Sequence, residues 1–323
     1  MKRTILLSNK YSGTAYEIIK SVLPDGFALK MLNKVEQEEF EKEVRHADYI
    51  LASGRLRIDE RLLQNACNLK MIQRTGVGID TLDLPAIKKR NIPLYVNYGI
   101  NHMSVAEHTL LLILACLKKL TIANDNVKNG IWEKQAHGLQ TRELASRIVG
   151  IIGMGHIGRQ VARLLKAFGA TVSYYDLRRL SRDEEKELGV CYKEVDDIFR
   201  NSDIITFHCA LTEQSKYIVN WENICKMREG VILINTARGE IIRENDLVRA
   251  LKSGHVSFAG LDVFEEEPTN HAELLEMDNV IVTPHIGGVS YDAFLRMMSE
   301  AMRNIEMFEK GMLQEIEKSR LKE

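Results

Sequence analysis

The chain has 323 residues, enough for about two domains at roughly 150 residues each. Its 44 Lys+Arg balance 45 Asp+Glu, a formal net charge of −1, which excludes the overall basic field expected of a nucleic-acid or acidic-membrane binder. With 45% hydrophobic and 28% charged residues it reads as a globular chain, not a disordered or fibrous one. The amino-terminal MKRTILLSNKYSG starts basic, but its apolar stretch is short and reads as a strand rather than a signal peptide. The longest apolar run, residues 110–117, falls far short of the ~18 needed to span a bilayer. Five scattered cysteines without a CxxC pair predict a reducing, cytosolic setting, with neither a metal site nor a disulfide framework.

Short apolar runs predict strands at 4–7, 49–52, 70–73, 94–96, 148–152, 171–175, 203–207, 231–235, 258–261 and 280–282. Amphipathic patterns between them predict helices, among them 59–66, 104–118, 157–168 and 244–252. Strand and helix in alternation predict an α/β fold of parallel sheets covered on both faces. The charged stretch 178–187 reads as a solvated helix and its lead-in. Hinges are expected near 98–101 and 285–290. They would leave residues 100–288 as a central domain inserted into an outer one of 1–99 plus 289–323.

The most informative segment is IVGIIGMGHIGRQVARLLKAFGATVSYYD. A predicted strand runs into Gly153, Gly155 and Gly158 at GxGxxG spacing, and a helix follows. The first glycine permits a tight turn, the second lets the backbone approach a pyrophosphate, and the third lets helix and strand pack closely. Unpaired N–H groups at the helix start then face the phosphates. Asp176 follows Gly153 by about 20 residues, the spacing of a ribose-binding acid. A carboxylate there repels a 2′-phosphate and favours NAD over NADP, a preference that Arg178 and Arg179 oppose unless they serve as a helix start.

Three later segments, INTARGE, LDVFEEEP and VTPHIGG, each place polar groups just past a strand, where open parallel sheets gather their ligands. They offer Arg238, one acid among Glu265, Glu266 and Glu267, and His285. A guanidinium binds a carboxylate as a fork and polarises a carbonyl. An imidazolium delivers the proton that accompanies a hydride, and a neighbouring carboxylate fixes its tautomer. Together they suit hydride transfer to a 2-oxo acid.

With RTGVGIDTLD, SVAEHTLLLIL and the segments above in this order, residues 47–311 resemble the D-isomer-specific 2-hydroxyacid dehydrogenases. The resemblance implies two doubly wound parallel-sheet domains: a Rossmann NAD-binding domain inserted into a flavodoxin-like substrate domain. It implies that Arg238 anchors the substrate, His285 is the acid/base, and Glu267, just before Pro268, is its partner. Val77, Gly78 and Asn101 would receive the substrate carboxylate. His156 and Ile157 would lie by the pyrophosphate and Asp176 by the ribose. Thr236, Ala237 and Asp262 would flank the nicotinamide with Gly287 and Gly288 near it, Asp262 having a rival reading as a loop cap. It further implies NAD as cofactor, a small 2-oxo or 2-hydroxy acid as substrate, and a homodimer in which helix 104–118, apolar nearly all round, lies against the second subunit.

The chain departs from the family at two points. Ala210 stands where a proline is usual, although His208 and Thr212 remain. Gly54 occupies a position that is basic in phosphoglycerate dehydrogenases; Arg55 or Arg57 would have to substitute, which weighs against a phosphorylated substrate. No amino-acid-sensing domain is expected after the TPHIGG motif, and hence no feedback by serine through one. Two other readings share the scaffold. A corepressor-like NAD sensor also keeps the Arg/Glu/His set, but the disordered or basic extension that would go with it is not expected here. Formate dehydrogenases pair the histidine with glutamine, which Glu267 argues against.

Overall fold

The computed structural model describes residues 2–54 and 56–321, so Arg55 lies outside the described residues. The chain divides into two compact units, Met1–Asn101 with Val289–Glu323, and His102–Gly288.

In the first unit five parallel strands, β1 (Arg3–Leu7), β2 (Phe27–Met31), β3 (Tyr49–Ala52), β4 (Met71–Arg74) and β5 (Leu94–Val96), run in the order β2-β1-β3-β4-β5. This is the flavodoxin-like doubly wound order. The central strands are apolar on both faces because both are covered. Ile5, Leu7, Tyr49, Leu51 and Met71 meet Phe294, Met298 and Met302 of the helix Tyr291–Glu309. Leu6, Ile50 and Ile72 meet Phe40, Leu62 and Ile87 on the other side. The long helix ends in an ionic anchor: Glu309 accepts from Arg3 Nε at 2.7 Å, from Lys70 Nζ at 2.9 Å and from the Tyr49 hydroxyl. Burial alone would raise the Glu309 pKa, but hydrogen bonds from Lys70, Tyr49 and Arg3 outweigh it and hold the carboxyl at about 2.

The second unit holds seven parallel strands, β6 (Ile148–Ile152), β7 (Thr171–Tyr175), β8 (Val190–Tyr192), β9 (Ile204–Phe207), β10 (Val231–Asn235), β11 (Val256–Leu261) and β12 (Val280–Val282). Their order, β12-β11-β10-β9-β6-β7-β8, reverses between β6 and β9, as in a Rossmann sheet. The helix His102–Lys118 buries Leu112, Ile113 and Cys116 in the core on one face of this sheet. Its Leu111 remains 54% exposed. Among the described residues no helix is long and apolar enough to cross a membrane.

The alternation of elements follows the expectation, with two strands added, β2 and β8. Each lies at a sheet edge, where burial is incomplete and a long apolar run is not needed. The stretch 178–187 does lead into a helix, Arg182–Leu188, started by a reciprocal cap between Ser181 and Glu184.

Candidate active site

β6 ends at the point of strand reversal, where ligands gather in sheets of this kind. Gly153 follows with φ +100°, and a Cβ there would come within 2.4 Å of the Cys209 amide nitrogen. A Cβ on Gly158 would come within 2.1 Å of the Gly153 carbonyl oxygen. Gly155, by contrast, caps the helix His156–Ala167 and has nothing within 4 Å of its Cβ position. Two glycines therefore close the turn onto its surroundings, and the third keeps the helix start open for a phosphate. His156 is exposed there, whereas Ile157 packs partly against the core. Asp176 stands at the end of β7 and accepts from the Met154 amide at 2.6 Å and the Arg178 amide at 2.9 Å. Its oxygens keep lone pairs for ribose hydroxyls. Arg179 forks onto Glu185 at 2.8 and 3.2 Å and lies over the Tyr192 ring, so it is committed to the fold. His208, just past β9, hydrogen-bonds Thr206 through Nε2 at 2.9 Å, while its buried Nδ1 has no partner. Burial pushes the His208 pKa well down and keeps the ring neutral. An open glycine-lined helix start, a carboxylate at ribose distance in sequence and an unpartnered buried nitrogen fit a dinucleotide.

The turn after β10 is shaped by Asn235, whose side chain accepts from the Ala237 amide at 3.1 Å and donates to the Arg238 carbonyl at 2.8 Å. Thr236 is buried, its hydroxyl 3.0 Å from that of Thr109. The Arg238 guanidinium donates from Nη1 to the Ala237 carbonyl at 2.7 Å.

The three consecutive acids after β11 take different tasks. Glu265 accepts from the Glu244 amide at 2.6 Å while Glu244 accepts from the Glu265 amide at 2.8 Å, so Glu265 caps the helix Glu244–Ser253. Glu266 is exposed. Glu267 accepts from the Phe264 amide through Oε1 at 3.1 Å, and its Oε2 lies 2.9 Å from His285 Nδ1. Of the acids left open by the sequence, Glu267 is the one paired with His285. The opposite ring edge, carrying Nε2, belongs to a side chain about half exposed.

His285 itself sits at φ +56°, a left-handed conformation that a β-carbon disfavours. Asp262, 2% exposed, holds the turn: Oδ1 accepts from Thr283 Oγ1 at 2.6 Å and the Ile286 amide at 2.8 Å, and Oδ2 from the Gly287 amide at 2.8 Å. Burial works against this charge, but hydrogen bonds from His108, Thr283 and the amides of Gly287 and Ile286 keep the pKa below the usual carboxylate value. The geometry is that of the loop cap, and Gly288 closes the unit behind it.

The remaining residues singled out in the sequence belong to the first unit. Val77 is 45% exposed, Gly78 and Asn101 are partly buried, and Asn101 is the last residue before the second unit. Arg74, at the end of β4, donates from Nε to the Gly78 carbonyl at 2.8 Å and so braces the 76–78 loop. Gly54, at φ +69°, has Asn9 beside it. Arg57 is exposed and is tied through its backbone to Gln37.

Sequence reasoning passed over Asn235, Ser104, His108 and Thr283. Nothing local marked them: His108 stands among other polar residues of its helix, Ser104, Glu107 and Thr109, and Thr283 follows the end of β12.

A family model described as D-isomer specific 2-hydroxyacid dehydrogenase, NAD binding domain, matches residues 110–287. A hydroxypyruvate reductase of Thermotoga maritima is 38% identical, over 84% of this chain and 88% of its own. A glyoxylate reductase of Pyrococcus furiosus is 32% identical, over 86% and 84%. The crystal structure of a D-lactate dehydrogenase from Aquifex aeolicus, complexed with NAD and lactic acid, superposes with a TM-score of 0.87 at 32% identity, covering 99% of both chains. With its glycine turn, its sheet order and these relatives, the chain belongs to the D-isomer-specific 2-hydroxyacid dehydrogenases and is an NAD-dependent oxidoreductase of that family.

Proposed function

We propose that the enzyme interconverts a small, unphosphorylated 2-oxo acid and its (R)-2-hydroxy acid, with His285 as acid/base. The observation that carries this reading is the 2.9 Å contact between His285 Nδ1 and Glu267, itself fixed by the Phe264 amide. With Nδ1 held by a carboxylate, Nε2 is the nitrogen that gives its proton to the carbonyl oxygen in reduction and removes it in oxidation. Bound NAD supplies the hydride chemistry. Gly153, Gly155, Gly158, His156 and Ile157 hold its pyrophosphate in this reading, and Asp176 its ribose. Thr236, Ala237, Asp262, Gly287 and Gly288 border the nicotinamide. Arg238 binds the substrate carboxylate and polarises the carbonyl, and the backbone of Val77 and Gly78, with Asn101, receives the same carboxylate.

Gly54 in place of a basic residue supports an unphosphorylated substrate, as do the names of the relatives, hydroxypyruvate reductase and glyoxylate reductase. Steady-state reduction of glyoxylate, hydroxypyruvate, pyruvate and 3-phosphohydroxypyruvate with NADH tests the reading. A kcat/KM highest for the phosphorylated acid would refute it. Residues 1–99 with 289–323 form the substrate domain in this reading, and 100–288 the cofactor domain.

We also propose a homodimer formed through the second unit. Leu111, Leu120, Val127, Ile131, Trp132 and Leu139 are all exposed there, Trp132 by 80% and Leu139 by 81%. An exposed apolar group of this kind marks an interface, and a two-fold axis lets one patch cover its copy. Light scattering that returned 36.9 kDa at micromolar concentration would refute it.

A further inference from the structure

The conformation of His285 needs a cause. A non-glycine residue at φ +56° costs about 1 kcal/mol and persists where the surroundings hold it. The two amides that follow it, Ile286 and Gly287, are held by Asp262, which also accepts from Thr283. A second layer lies behind this one. His108, on the helix His102–Lys118, places Nε2 2.9 Å from Thr283 Oγ1 and 3.5 Å from Asp262 Oδ1, with its side chain only 11% exposed. One turn earlier on that helix, Ser104 donates to the Gly287 carbonyl at 2.8 Å.

The protons in this group can be assigned. Asp262 is ionised, so it only accepts. Thr283 has one hydroxyl hydrogen and gives it to Asp262 at 2.6 Å. Toward His108 the hydroxyl can then only accept, so His108 Nε2 carries a hydrogen and donates it. The chain His108 → Thr283 → Asp262 runs in one direction and ends on the carboxylate that also accepts from the amides of the His285 turn.

We propose that His108 and Thr283 are positioning residues of the reaction: a buried hydrogen-bonded relay that fixes the Asp262 carboxylate and thereby aims His285. It accounts for a largely buried histidine on the helix His102–Lys118 and for a turn gripped from both its amide and its carbonyl side. His108 and Thr283 touch neither substrate nor reacting atoms and act through Asp262 and the backbone at 286–287. It rests on the assignment of His285 as acid/base.

The test uses the whole enzyme. Thr283→Val and His108→Leu remove the relay, whereas Thr283→Ser and His108→Gln keep a group that can donate. The first pair lowers kcat about 10- to 100-fold, the scale of an ångström-level misplacement, while KM for NADH changes less than about threefold. In cofactor-free protein the same pair speeds amide hydrogen exchange at Ile286 and Gly287, and the conservative pair restores both readouts. Unchanged kcat, unchanged exchange, or a Thr283→Ser as impaired as Thr283→Val at equal Tm would each overturn the relay. His285→Ala, assayed alongside, separates the two levels. If it retains kcat, the acid/base assignment fails and takes the relay with it. If it is inactive while the relay variants match wild type, the relay alone fails.

Discussion

The glycine turn permits a prediction in which stability and binding part company. Gly158→Ala places a methyl 2.1 Å from the Gly153 carbonyl oxygen, over an ångström inside contact distance, and the neighbour is backbone. Relief requires the helix His156–Ala167 to move off β6, an overpacking of about 3 kcal/mol or more. Gly155→Ala meets nothing within 4 Å, and its φ of −74° suits any residue. Its cost without cofactor is the difference between glycine and alanine at a helix cap, about 1 kcal/mol or less. The new methyl nevertheless stands at the open helix start, in the path of the pyrophosphate, and should raise the Kd for NAD at least about tenfold, or 1.4 kcal/mol. Thermal unfolding of cofactor-free protein, with calorimetric titration of NAD, reads the two effects separately. Gly158→Ala should lose Tm by many degrees, whereas Gly155→Ala should keep its Tm nearly unchanged and lose affinity. An unaltered Kd in Gly155→Ala would refute the placement of the phosphates against this residue.

Glu309→Gln should cost at most about 3 kcal/mol at pH 7, since the carboxyl is held at about 2 against 4.5. A depressed pKa stabilises above 4.5 and ceases to do so as pH falls toward 2, so the gap from wild type should narrow by about 1 kcal/mol by pH 3.5; a urea midpoint difference independent of pH would argue for packing instead. Asp176→Ala should raise NADP use relative to NAD about tenfold or more in kcat/KM. Because Arg179 is tied to Glu185, Arg178→Ala in that background should reverse the gain; no reversal would mean that another cation meets the 2′-phosphate. Arg238→Lys keeps charge but loses the fork, so KM should rise and kcat fall together; an unchanged kcat/KM would remove Arg238 from the substrate site.

How much of this was legible in the sequence depended on how local the cause was. The phosphate turn was legible because its constraints, a positive φ at Gly153 and a close approach at Gly158, fall within a few residues and admit glycine alone. Strands β2 and β8 were not, because each holds only three consecutive apolar residues, 27–29 and 190–192, and lies at a sheet edge with exposed positions at Lys30 and Cys191. The choice among Glu265, Glu266 and Glu267 was open because adjacent acids look alike until the helix at Glu244 claims the first and His285 meets the third. Asp262 likewise admitted two readings; its contacts with Thr283, Ile286 and Gly287 are set by where the loop after β12 returns. His108 was invisible as a participant, since its partners lie far along the chain in the 283–287 turn.

The first unit is built from two stretches of chain, and this bears on how the protein is made. During synthesis the residues up to Asn101 emerge before the second unit, yet the face of their sheet lined by Ile5, Leu7, Tyr49, Leu51 and Met71 packs against the helix Tyr291–Glu309, which is translated after it. The nascent sheet therefore waits with one greasy side only partly covered, by Ile18 and Ile19 of the helix Gly13–Ser21, while the whole second unit leaves the ribosome. That second unit is continuous in sequence and needs nothing from the rest of the chain to close its own core. The natural order of assembly is the middle first and the ends last, and the waiting interval is when a chaperone would find its foothold on this chain.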